Sequence, residues 1–155
     1  MEAELTIVIP AKNEVKMLPK LLKSLCRQDY QGMAQMRVIV ADAGSTDGTV
    51  EVALSFRDRL NVEVIPGGLP SVGRNAGARL ATSRFVLFLD ADVELPEPTL
   101  LRRALWKMTR RELHLATTNI ACRHGGFFDD ALYAGNNLMQ RASSFVSPFA
   151  TGMFM

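Results

Sequence analysis

Asp90 and Asp92 flank Ala91 immediately after the uninterrupted apolar run Phe85-Val86-Leu87-Phe88-Leu89. Residues two apart in an extended segment point the same way, so both carboxylates can face one ligand. Two unpaired carboxylates that close repel, and a hard divalent cation relieves the repulsion. Mg²⁺ or Mn²⁺ held there can bridge to a diphosphate and neutralise a phosphate leaving group. The structural alternative is a turn or helix-capping pair ahead of Pro96, but the buried-strand pattern directly upstream favours the metal. Arg74, in Gly73-Arg74-Asn75-Ala76-Gly77, carries the planar fork that binds oxyanions bidentately and suits a phosphate or a base; a plain surface arginine is the alternative. Asp42 ends a second apolar run and can accept hydrogen bonds from a base or ribose. Asp47, inside Gly44-Ser45-Thr46-Asp47-Gly48, fits a helix cap better than a ligand contact.

These residues need elements to hold them. Residues 5–9 read as a β-strand closed by Pro10, followed by the polar stretch Ala11-Lys12-Asn13-Glu14. Leu18, Leu21, Leu22 and Leu25 recur at three- and four-residue spacing, one face of a helix. A second strand over 36–41 precedes Asp42, a helix passes through Val50, Val52, Ala53 and Phe56, and a third strand covers 61–65. Ser71 is positioned to cap a helix over 71–82, in which Gly73 and Gly77 share a face suited to close packing on a sheet. The apolar run 85–89 fits a central parallel strand covered on both faces. Pro96 and Pro98 introduce a helix through Leu100, Leu101, Leu105 and Met108, with Trp106 expected in the core. A further strand over 115–121 and a helix over 130–145 complete the reading. Alternating strands and helices imply an α/β, Rossmann-like, mostly parallel sheet with helices on both faces. Such sheets bind ligands beyond the carboxyl ends of their strands, where Lys12 to Glu14, Asp42, Gly67-Gly68 and Asp90 to Asp92 all fall.

The 155 residues fit one domain. A net charge of +2, with basic residues scattered in pairs such as Arg102-Arg103 and Arg110-Arg111, argues against a nucleic-acid partner and reads as solvated helix surface. Cys26 and Cys122 form no metal or disulfide spacing and read as reduced thiols of a cytoplasmic protein; His114 and His124 have no ligand spacing. No signal peptide is evident, and no apolar stretch reaches the length of a membrane span. The amphipathic segment 132–146 can touch a membrane surface, giving a peripheral association, although packing on the domain is the expected role.

The sequence resembles family 2 glycosyltransferases of the GT-A fold. Thr6-Ile7-Val8-Ile9-Pro10-Ala11-Lys12-Asn13-Glu14 resembles the family's opening strand and its polar tail. Val40-Ala41-Asp42-Ala43-Gly44-Ser45-Thr46-Asp47-Gly48-Thr49 resembles the second motif, Gly73 to Gly77 the third, and Phe88-Leu89-Asp90-Ala91-Asp92 the DxD motif. The resemblance implies a metal-dependent inverting transfer from a nucleoside-diphosphate sugar to a saccharide, lipid or other hydroxyl acceptor. It places Pro10, Ala11, Asn13, Glu14 and Asp42 at the base and ribose, Arg74 at the base or diphosphate, Asp90 at ribose or metal, and Asp92 at the metal. Residues 1–96 would form the nucleotide-sugar-binding half and 97–155 an incomplete start of the acceptor side, as in a chain truncated at its C-terminus.

Two departures limit what carries over. Many members have a second Asp where this chain has Ala43, which removes a base contact. The family's downstream general base has no counterpart: Phe149 to Met155 resembles the strand before that region, and Asp129-Asp130 precedes it. A non-catalytic nucleotide-binding module is therefore a second reading. A third is a phosphate-loop nucleoside triphosphatase, because Gly68 to Asn75 approaches Gly-x-x-x-x-Gly-Lys-Ser/Thr. Arg74 and Asn75 replace that motif's Lys and Ser/Thr, and Pro70 removes an amide the phosphates need.

Overall fold

The computed structural model describes residues 4–33, 35–114, 116–117, 121 and 126–143. Four strands, β1 (Leu5–Ala11), β2 (Arg37–Asp42), β3 (Asn61–Pro66) and β4 (Phe85–Phe88), form one parallel sheet in the order β3-β2-β1-β4. They alternate with helices α1 (Leu18–Cys26), α2 (Thr49–Leu54), α3 (Pro70–Leu80) and α4 (Leu100–Arg110); α5 (Phe127–Ser143) follows. The apolar runs become the strands because a parallel sheet is covered on both faces. Leu5, Ile7 and Ile9 of β1 pack with α1, α2 and α4, whereas Val8, with Ile39 and Ala41 of β2, faces the other way. There α3 lies on β1 and β2.

Strand order sets the location of the crevice. The chain winds from β1 outward to β3, then returns to lay β4 on the free edge of β1. The strand order therefore reverses between β1 and β4, a topological switch point of the kind beyond whose carboxyl ends open α/β sheets take ligands. Pro10 contributes to this opening. It lies inside β1, opposite Ala41, rather than ending the strand. Glu4 and Val8 accept hydrogen bonds from the β4 side, so by alternation the N–H that Pro10 lacks would point the same way. The β1–β4 ladder runs only from Leu5↔Phe85 to Val8↔Phe88, leaving no partner for Pro10 to lose.

Several boundaries differ from the sequence reading. Pro70, with its fixed φ, begins α3, so Leu69 is the cap position and Ser71 lies inside the first turn. Trp106 is 57% exposed, because the buried stripe of α4 is Leu101, Leu105 and Met108. Its place one residue after Leu105 turns the indole outward. α5 starts three residues earlier than expected, and Asp129 accepts the Gly126 N–H across its first turn at 2.9 Å, half of a capping box. Leu132, Leu138 and Met139 are exposed, so the expected packing of this segment on the domain is not found among the described residues. Most of the 115–121 strand, along with Cys122, His124 and residues 144–155, lies outside the described residues; Thr117 forms an isolated bridge.

Candidate functional site

A cleft of about 720 Å³ opens at the switch point, lined by the β1 tail, the β3–α3 loop and the segment after β4. Of the residues singled out from sequence, Pro10, Ala11, Glu14, Arg74, Asp90 and Asp92 line it; Asn13 and Asp42 do not. Lys12, Ala43, Gly68, Leu69, Pro70 and Ala91 complete the wall.

Arg74 reaches the cleft because α3 sits very close to the sheet. A Cβ on Gly73 would lie 3.1 Å from the Ala41 Cβ, and one on Gly77 would lie 2.8 Å from Val8 Cγ2. At Gly77 only glycine admits that approach and at Gly73 a Cβ would be crowded, and the close packing brings the intervening Arg74 to the strand ends. Its guanidinium pairs with the Asp90 carboxylate, both side chains partly buried, while the Arg74 Nε is buried with no hydrogen-bond partner. Asp92 is exposed. Its charge is felt by Glu14, whose carboxyl is held above the ordinary range by burial first and then by Asp92 and Asp47.

Asn13 and Asp42 instead hold the rim together. Asn13, in the left-handed region at φ 55°, accepts the Thr46 N–H at 3.0 Å and donates its own N–H to the Ser45 hydroxyl at 2.8 Å. Asp42 Oδ2 accepts the N–H groups of Gly44 and Ser45, each at 3.0 Å. Asp42 Oδ1 is buried and accepts no hydrogen bond. Asp47 fulfils its structural reading: it accepts the Thr49 N–H and hydroxyl and the Val15 N–H, tying the first loop to α2. Those hydrogen bonds, that of the Thr49 hydroxyl foremost, hold its carboxyl below the ordinary value.

Sequence reasoning passed over two buried polar residues, Ser24 in α1 and Gln28 just beyond its end. Ser24 Oγ accepts the Leu95 N–H at 3.1 Å. Gln28 donates to the Glu97 carbonyl at 2.9 Å and accepts the Leu101 N–H at 3.1 Å. They anchor the segment that follows Asp92. The signal that could have found them is polar residues, four apart, following the stripe of buried leucines.

Asp90 and Asp92 are hard oxygen donors at the mouth of an open cleft, and among the described residues no third ligand joins them to make a complete metal cage. That set suits Mg²⁺ or Mn²⁺, which bind through one or two carboxylates and take other ligands from substrate phosphates and water. Lys12 and Arg74 add cations to the same cleft. A phosphate loop is not formed: Pro70 to Asn75 are already part of α3, and Gly73 donates its N–H to the Leu69 carbonyl at 3.0 Å.

A sequence profile of glycosyl transferase family 2 matches residues 6–152. The poly(ribitol-phosphate) beta-N-acetylglucosaminyltransferase TarS of Staphylococcus aureus is 33% identical over 99 residues, covering 61% of this chain and 17% of that protein. Validoxylamine A glucosyltransferase of Streptomyces hygroscopicus subsp. jinggangensis is 38% identical over 93 residues, 57% of this chain and 22% of that protein. A PGL/p-HBAD biosynthesis glycosyltransferase of Mycobacterium tuberculosis is 31% identical over 150 residues, 88% of this chain and 57% of that protein. The crystal structure of S. aureus TarS in complex with UDP-GlcNAc superposes with a TM-score of 0.72 at 27% identity, covering 81% of this chain and 36% of that one. The chain thus spans less than two thirds of the length of each of these relatives, and about a fifth of the first two.

Proposed function

The chain belongs to glycosyl transferase family 2, with the GT-A fold, and on that premise we propose that its cleft binds a nucleoside-diphosphate sugar as donor for transfer to a hydroxyl acceptor. The observation that carries this reading is the meeting of Lys12 and Arg74 with Asp90 and Asp92 in one cleft at the switch point. Two cations for a diphosphate and two carboxylates for a divalent ion are the groups a sugar nucleotide requires.

In this reading Asp90 and Asp92 hold Mg²⁺ or Mn²⁺, which when bound supplies positive charge to the departing diphosphate. Arg74 leaves Asp90 and turns its unsatisfied Nε and terminal nitrogens to phosphate oxygens. The β1 tail, from Pro10 to Glu14, borders the base and ribose. Ala43 offers no carboxylate to a base, so nucleotide choice rests on backbone and shape. The reaction is a single displacement with inversion: an acceptor hydroxyl oxygen bonds to the sugar's anomeric carbon, and its proton passes to a base. The bond from that carbon to the diphosphate breaks, and its electron pair leaves with the phosphate. Residues 1–96 carry the donor half and 97–155 begin the acceptor side.

Calorimetry of UDP, GDP and ADP with and without Mn²⁺ tests this directly. At least one nucleoside diphosphate binds more tightly with the metal; folded protein showing no metal-dependent binding refutes the donor site. UDP is the first ligand to try, since the similar TarS was crystallised with UDP-GlcNAc.

One observation favours a second reading, a donor-binding module without turnover. The carboxylates lining the described cleft are Glu14, Asp90 and Asp92, and Asp129 of the downstream acidic pair is engaged by the Gly126 N–H. Donor hydrolysis by this chain would exclude the module; binding without hydrolysis supports it.

A further inference from the structure

The outer face of α4 has no part in the donor cleft, yet its chemistry is distinctive. Arg102, Arg103, Trp106, Lys107 and Arg110 are exposed along the helix, and exposed Arg111 follows it. No carboxylate interrupts the stretch from Leu100 to Arg111. The pairs that read as scattered surface charge in sequence are gathered by the helix onto one side, around a half-exposed indole. Four carboxylates border this face. Asp29 pairs with Arg102 at 3.4 Å and Glu97 with Arg103 at 2.8 Å, all four side chains being more than half exposed. Glu4 accepts the Tyr30 hydroxyl at 3.1 Å and that of Thr109 at 3.4 Å, and exposed Glu112 ends the face. Burial and the bond to Glu4 push the Tyr30 phenol up to about 12, so it stays a neutral donor. Lys107, Arg110 and Arg111 form no ion pair among the described residues, and Arg110 lies over the Trp106 ring at 5.0 Å.

A second observation defines what such a face can accept. Beside Trp106 runs a groove of about 420 Å³ lined by Tyr30, Leu105 and Trp106 with Arg102 and Arg110, and by Thr109 and Glu4, whose carboxylate is taken up by the Tyr30 and Thr109 hydroxyls. Cations around an apolar trough match a surface that is anionic outside and apolar beneath. That is the chemistry of an anionic lipid bilayer, where tryptophan prefers the headgroup level and lysine and arginine meet lipid phosphates. A soluble inorganic polyanion such as polyphosphate would use the cations but leave the apolar floor unused. No helix among the described residues is long and apolar enough to cross a membrane, so the contact is peripheral.

We propose that the outer face of α4 docks this chain on anionic membrane surface, with Trp106 as interfacial anchor and Lys107, Arg110 and Arg111 as the main electrostatic contacts. The proposal does not depend on the donor reading.

Trp106 is the only tryptophan of the chain, so its emission reports on this face alone. The experiment titrates the full chain with phosphatidylglycerol–phosphatidylcholine vesicles and with phosphatidylcholine vesicles, following emission and co-flotation. Anionic vesicles shift the emission to the blue and carry the protein; neutral vesicles do neither, and rising salt reverses the binding. Each unpaired cation near the surface strengthens partition about fivefold, so K107Q/R110Q/R111Q weakens it on the order of a hundredfold. Partition kept by that variant, or vesicle binding without an emission shift, overturns the proposal by placing any contact elsewhere, for example on α5. An equal emission shift with soluble polyphosphate or RNA overturns it in favour of a polyanion partner. Absence of binding to anionic vesicles overturns it outright.

Discussion

Replacing Asp92 by Asn separates the two things a carboxylate at the mouth of the cleft can do. The side chain is exposed and its size is unchanged, so the fold should be undisturbed. Its charge nevertheless enters the cleft, because after burial it helps to raise the pKa of the Glu14 carboxyl. Without metal, that charge repels a diphosphate. For an exposed group the screened end of the Coulomb range applies, about 1 kcal/mol at close approach, which corresponds to roughly fivefold in affinity. With metal, the same carboxylate is a ligand. Losing one charge-assisted contact costs about 1.5–3 kcal/mol, on the order of tenfold to a hundredfold. D92N should therefore bind UDP more tightly than wild type in EDTA and more weakly in Mn²⁺. Calorimetry in both buffers reads the two signs. Equal Mn²⁺ enhancement in variant and wild type would show that Asp92 holds no metal. Weaker binding in EDTA would show that it accepts hydrogen bonds from the ligand instead.

Three further perturbations test the frame around the site. Gly77→Leu forces a side chain into Val8, where even a Cβ would be 2.8 Å from Cγ2; overpacking of about 3 kcal/mol outweighs the roughly 1 kcal/mol gained by removing a helical glycine, and urea unfolding should show a net loss of about 2. Gln28→Ala strands the Leu101 N–H and the Glu97 carbonyl; it should cost about 1–3 kcal/mol in chemical denaturation and weaken Mn²⁺-dependent nucleotide binding by loosening the segment after Asp92. Asp47 has its pKa lowered in the fold, so its stabilisation is complete above the ordinary carboxyl value and disappears as pH falls through the lowered one. The melting-temperature gap between wild type and Asp47→Ala should therefore be wide at neutral pH and close in strong acid; a constant gap would refute the charge's role.

The sheet was legible because four apolar runs ended in polar residues or turns, and burial on both faces leaves a parallel strand little other composition. The meeting of Asp90, Asp92 and Arg74 in one cleft was legible from the paired carboxylates that follow the apolar run of β4 and from the glycines that flank Arg74 in α3. Asn13 and Asp42 show the limit. Both sit at strand ends as expected, yet their side chains satisfy backbone amides of the β2–α2 loop. For Asn13 the partner lies about thirty residues away, which no local pattern records, whereas Asp42 is taken up by the amides of Gly44 and Ser45 just beyond it. Trp106 shows a second limit. Hydrophobicity placed it in the core, but the phase of α4 is set by Leu101, Leu105 and Met108, and the indole falls outside their stripe. Ser24 was hidden by the opposite effect, a polar residue on a helix face patterned by leucines, and Gln28 by its place just past the helix end.

Crystals of the chain grown with UDP and Mn²⁺, measured for manganese anomalous scattering, test the donor site most directly. The expected result is a manganese peak against Asp92 or Asp90, with the diphosphate between it and Arg74 and the nucleoside along Pro10 to Glu14. Nucleotide bound outside this cleft, or manganese bound away from both aspartates, would contradict it.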